Sequence, residues 1–110
     1  MTQSLVVLTN LPNLAAAQAL ARHLVQQRLA ACINILPAVR SVYQWQGAIE
    51  EADEVPLLVK TSTSRYAELE SAIKAAHPYQ VPEIIALPIT AGLPAYLDWI
   101  AQTTKRDLHV

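Results

Sequence analysis

Val39-Arg40-Ser41-Val42-Tyr43-Gln44-Trp45-Gln46-Gly47-Ala48 reads as one arm of a β-hairpin followed by its turn. Alternation puts Val39, Ser41, Tyr43 and Trp45 on one face of that arm. Gly47 supplies the positive φ that a tight turn requires. The return arm is predicted over Val55 to Thr61, where Val55, Leu57 and Val59 alternate with Leu58 and Lys60. The intervening run, Glu50-Glu51-Ala52-Asp53-Glu54, lacks the glycine and alternating spacing of a calcium loop and reads as a solvated hairpin shoulder. A hairpin this long projects past a small domain, and its edge needs a cover from another chain.

Working outward, Ser4 to Thr9 is a short buried strand, because apolar and β-branched residues run together there. Asn10-Leu11-Pro12-Asn13 is turn chemistry, with Asn13 a good helix N-cap. A helix follows to about Arg28, with Ala17, Leu20, Ala21, Leu24 and Val25 as its inner stripe and Arg28 in the last turn. Ala31 to Ile35 is a second strand, and Pro37 interrupts it before Val39. Thr63 or Ser64 is the expected cap of a second helix with Tyr66, Leu69 and Ile73 inside. His77-Pro78 ends that helix. Glu83 to Pro88 is a further strand, and a last helix opens at Leu93-Pro94, with Leu93, Tyr96, Leu97 and Ile100 as its inner stripe. Trp99 is expected in the core or at an interface, and the tail from Thr103 is expected to fray or to lie on a neighbour. The order β-α-β-β-α-β plus a terminal helix gives an α+β, ferredoxin-like sandwich with a long central hairpin, one domain over residues 1–110.

Composition narrows the function classes. Hydrophobic residues make up 53% and charged residues 15% of the chain, more apolar surface than one small core absorbs, so a homo-oligomer is expected. The net charge is −1, without a basic stripe, which argues against nucleic acid and membrane surfaces as partners. The apolar run Leu5 to Leu8 is too short for a signal peptide or a membrane span. One cysteine, Cys32, excludes an internal disulfide and fits a reducing compartment, so a cytoplasmic protein is expected. In its apolar strand Cys32 reads as a small buried hydrophobe.

Five segments then carry a resemblance. Arg28-Leu29-Ala30-Ala31-Cys32-Ile33-Asn34-Ile35, Ser41 to Gly47, Glu54 with Lys60-Thr61, His77-Pro78-Tyr79-Gln80-Val81-Pro82-Glu83-Ile84-Ile85, and Tyr96-Leu97-Asp98-Trp99-Ile100 resemble the CutA (divalent-cation tolerance) family in order and spacing, from Val6 to Ile100. The resemblance implies a tight homotrimer, a link to divalent metals and copper especially, and a binding role without settled enzymatic activity. In well-known bacterial members, copper binding is attributed to a cysteine in the first strand and a histidine just before the HPY segment, as well as to that segment. Thr9 and Ala76 stand at the first two of those positions here.

The residues themselves nominate a site. His77 and Glu83 are the candidate metal ligands, for Cu(II) or another divalent cation held weakly; an imidazole suits copper, and Pro78 and Pro82 restrict the backbone between them. Lys60, Trp45, Tyr43 and Tyr79 are the candidate lining of a ligand cleft between subunits. An anionic ligand held there by Lys60 is the alternative, by analogy with the trimeric PII signalling proteins. A stable structural trimer with an indirect metal phenotype is a third reading. Catalysis is not expected: no Ser-His-Asp set is evident, and with Gly47 and Gly92 as its only glycines the chain has no phosphate-cradling loop.

Overall fold

A computed structural model describes residues 3–106. Its elements are β1 (Ser4–Leu11), α1 (Leu14–Gln26), β2 (Cys32–Ile35), β3 (Val39–Trp45), β4 (Ala48–Ser62), a 3-10 turn (Thr63–Arg65), α2 (Tyr66–Ala76), β5 (Ile85–Pro88) and α3 (Pro94–Thr103). The sheet order is β2-β4-β1-β5, every pairing is antiparallel, and β3 pairs with the far half of β4.

β4 organises the sheet. Its C-terminal half takes β1 on one side (Leu11↔Val55 to Ser4↔Ser62) and β2 on the other (Ile35↔Leu57 to Cys32↔Lys60). Its N-terminal half pairs with β3 alone, from Val39↔Glu54 to Trp45↔Ala48. Residues 48–54 and β3 therefore form a two-stranded ribbon that runs on past the sheet, and the long axis of the molecule reaches 48 Å. Pro56 sits at the break between β2 and β3, beside Pro37; it pairs with Asn10 of β1, and on its other side Leu36 N–H donates to Pro56 O at 3.0 Å. The acidic run is solvated at Glu50, Glu51 and Asp53, as read from the sequence, but Glu54 at its end is buried. The run lies inside β4, with Glu51 and Asp53 pairing with Arg40 across the ribbon at 3.3 and 3.1 Å.

The ribbon closes through a two-residue turn in which both Gln46 (φ 51) and Gly47 (φ 82) are left-handed, the backbone twist that a hairpin favours.

Alternation along β1 and β4 sorts the two faces of the sheet. Leu5, Val7, Leu11, Val55, Leu57 and Val59 face a core shared with Leu20 and Leu24 of α1 and Leu69 and Ile73 of α2. Fully burying one such Leu or Ile side chain is worth about 1.5–3 kcal/mol, so this layer dominates the apolar contribution. The opposite face carries Val6, Leu8, Leu58 and Lys60, with Ile85 and Leu87 in register beside Leu8 and Val6. Only part of that face is covered, by α3 through Ile100 and Thr104. Ile85, Leu87, Leu93, Tyr96 and Trp99 stay exposed in the single chain.

Several local expectations are corrected. Asn13 caps α1 as expected, its Oδ1 accepting from Ala16 N–H at 2.8 Å. Arg28, however, lies beyond the helix in the left-handed region (φ 59). Arg28 N–H donates to Val25 O and Leu29 N–H to Leu24 O, a Schellman closure with arginine where glycine is usual. Val25 is exposed. Neither Thr63 nor Ser64 caps α2: Thr63 Oγ1 accepts from Gln3 N–H, and the Ser64 and Ser62 hydroxyls bond each other. On α3 only Ile100 of the expected stripe is buried. Thr104, expected in a fraying tail, is fully buried, bonded to Ile100 O and to Ser62 Oγ. The last four residues of that tail lie outside the described residues.

Candidate functional site

The segment from His77 to Glu83 leaves the end of α2 and crosses the end of β1 at Asn10. His77 Nε2 lies 2.6 Å from the carbonyl oxygen of Asn10, and Tyr79 N–H donates to His77 Nδ1 at 3.2 Å. A carbonyl only accepts and a backbone N–H only donates, so the ring is the tautomer with its hydrogen on Nε2. Both nitrogens are used and no lone pair is left for a metal. The ring also packs on Tyr79, with centroids 4.7 Å apart. At the other end of the segment, the Asn10 side-chain amide donates to Glu83 Oε1 at 3.3 Å. Asn10 thus holds both ends of the segment, one by its backbone and one by its side chain.

This strap forms one wall of an open cleft of about 590 Å³. Tyr79, Gln80, Val81 and Glu83 line it from the strap, and Ser41, Val42, Tyr43, Trp45 and Glu54 from the ribbon, with Asn10 at its base. Strand alternation explains the gathering. Ser41, Tyr43 and Trp45 share a face of β3, and register places Glu54 on the same face of β4, beside Val39. Tyr43, Trp45, Tyr79 and Glu83 therefore line one cleft within the single chain.

Two expected members stand elsewhere. His77 is buried behind the strap and does not line the cleft. Lys60 lies six residues along β4 from Glu54, and its ammonium bonds Asn34 Oδ1 across β2 and β4. The single chain does not place Lys60 in this cleft. Cys32 is in register with Lys60 and only half-buried, so its reading as a buried hydrophobe is also corrected.

The reading from sequence missed Glu54 and Asn10 as site residues. Glu54 is only 8% exposed, yet among the described residues it has no ion pair. Burial, and then the Glu54 carboxylate nearby, push the Tyr79 hydroxyl above its usual range. Among the described residues, no lysine, arginine or histidine lines the cleft. Its charge is that of two carboxylates, and its walls are three aromatic rings. Among the described residues, no group of three or more His, Cys, Asp and Glu side chains converges closely enough to hold a metal ion.

The chain matches the family model described as CutA1 divalent ion tolerance protein over residues 5–103. It belongs to that family. The divalent-cation tolerance protein CutA of Thermus thermophilus is 50% identical over 99 residues, covering 90% of this chain and 96% of its own. Protein CutA of Mus musculus is 45% identical over 86% of this chain, which spans only 53% of the mouse protein's length. The solved Cut A1 structure from Thermus thermophilus superposes with a TM-score of 0.91 at 48% identity, covering 93% of this chain and 99% of its own. Within this CutA1-family chain, the two positions to which family copper ligands were mapped supply no donor to the cleft. Thr9 is 1% exposed on the helix-facing side of β1, and its hydroxyl has no partner among the described residues. Ala76 is the last residue of α2 and has only a methyl group.

Proposed function

We propose that this chain is a binding protein of divalent-cation tolerance, not a catalyst. It acts as a homotrimer of ferredoxin-like subunits and holds divalent ions weakly through the cleft carboxylates. The single observation that carries this reading is the pair Glu54 and Glu83 lining one cleft without a cationic side chain among the lining residues. The donors present do not fit a tight metal site within one chain: two carboxylates leave most of a coordination sphere to water or to another subunit. Oxygen donors alone also favour hard ions, so copper gains little from imidazole here. The same carboxylates disfavour the anionic-ligand alternative. The trimer is supported by the exposed apolar residues on the open sheet face and on α3. A cytoplasmic location is supported by the single cysteine.

Calorimetric titration with Mn(II) and Cu(II), alongside light scattering, tests this reading. The expected results are an assembled mass of about 36 kDa, three times the 12.1 kDa chain, and weak binding of both ions. That binding should fall in Glu54→Gln and Glu83→Gln but persist in His77→Ala. A tight copper site lost only in His77→Ala would overturn it, and a monomeric mass would overturn the trimer.

A further inference from the structure

The cleft contains more than two carboxylates need in order to hold a metal ion. Tyr43, Trp45 and Tyr79 line the same space together with Val42 and Val81, Trp45 at the far end of the ribbon opposite Ala48. A hydrated divalent ion keeps its water and gains nothing from such walls. A weakly hydrated organic cation gains from both features: ring faces attract an alkylated ammonium through their quadrupoles, and a carboxylate behind them supplies the counter-charge. Glu54 meets the second requirement closely, being nine-tenths buried, facing the cleft and without an ion pair among the described residues. Its carboxylate lies close to the Tyr79 hydroxyl, at the aromatic wall of the cleft. Glu83 adds a second negative group at the more exposed side. The cleft volume of about 590 Å³ admits a small molecule.

We propose that this cleft is a binding site for a small organic cation with an alkylated ammonium head, seated against Tyr43 and Tyr79 with Glu54 as its counter-ion. This goes beyond the divalent-ion reading, with which it shares Glu54 and Glu83, so the two are tested with separate ligands. Tetramethylammonium is titrated into the full chain by calorimetry at matched ionic strength, with tert-butanol as an uncharged analogue of similar size. Tetramethylammonium is expected to bind at least tenfold more tightly than tert-butanol. Tyr43→Leu and Tyr79→Leu are each expected to weaken it about tenfold, because ring faces attract the organic cation. Glu54→Gln is expected to weaken both ligands. Equal binding of the neutral analogue, absence of tetramethylammonium heat up to tens of millimolar, or unchanged affinity in both aromatic variants would overturn the proposal. Loss of Mn(II) binding alone would overturn only the divalent-ion reading. Thermal melts of each variant check that the fold is intact.

Discussion

Replacing His77 by alanine separates a clamp from a metal ligand. In the clamp the ring donates to Asn10 O at 2.6 Å, accepts from Tyr79 N–H at 3.2 Å and packs on the Tyr79 ring. Losing a hydrogen bond of this kind costs about 0.5–1.5 kcal/mol net, and a stranded acceptor costs more the further it is from water. Asn10 is half-buried, so the lower part of that range applies to its carbonyl. The lost ring contact adds about 0.5–1.5 kcal/mol. Together these give a destabilisation of about 2–3 kcal/mol. Guanidinium denaturation measures it, at one fixed protein concentration because assembly contributes to apparent stability. His77→Gln keeps an N–H donor able to reach Asn10 O and is expected to recover about 1 kcal/mol of the loss. The reasoning fails if His77→Ala unfolds within about 0.5 kcal/mol of the parent, or if glutamine does no better than alanine. A parent-like stability combined with lost copper binding would make His77 a ligand.

Two further perturbations follow from the backbone and the tyrosines. Arg28 closes α1 in the left-handed region, which costs a residue with a Cβ about 1–2 kcal/mol, so Arg28→Gly is expected to raise stability by about 1 kcal/mol. An unchanged or lowered denaturation midpoint would count against that account of the cap. Tyr66, Tyr79 and Tyr96 all have raised pKa values in the folded chain: Tyr66 through its hydrogen bond to Glu70, and Tyr79 and Tyr96 first through burial. Their contribution is complete below the unfolded tyrosine value, about 10. As pH rises beyond it the unfolded chain sheds protons first, so stability falls through the raised folded values. Denaturation midpoints should decline steadily above pH ~10 and decline less in Tyr66→Phe; a flat profile there would contradict the shifts.

The divide between what the chain shows as sequence and what only the structure shows follows the range of the interactions. Asn13, Gly47 and Pro94 act on their own turn of backbone, and each was legible because its local chemistry leaves few alternatives. The face shared by Ser41, Tyr43 and Trp45 was legible because a strand alternates strictly. Thr63 was misread because a hydroxyl that suits a cap was taken instead by Gln3 N–H, a residue 60 positions away. Arg28 was misread because a cation suits the last turn of a helix, and only the backbone shows that α1 closes before reaching it. The strap is the instructive case. His77 and Glu83 were singled out together for their side chains, but Asn10, read as a turn residue, is what joins them. That joining consumes the imidazole and leaves the carboxylate in the cleft. Glu54 was hidden for the opposite reason: an acidic run reads as solvated unless one knows that the strand continues through it. Once β4 extends to Ala48, alternation turns Glu54 to the cleft face beside Val39 and close to Tyr79, while Arg40 takes Glu51 and Asp53. The same extension that makes the ribbon project therefore supplies the cleft with its buried charge, and the chemistry of the site shifts from imidazole and lysine to carboxylates framed by aromatic rings.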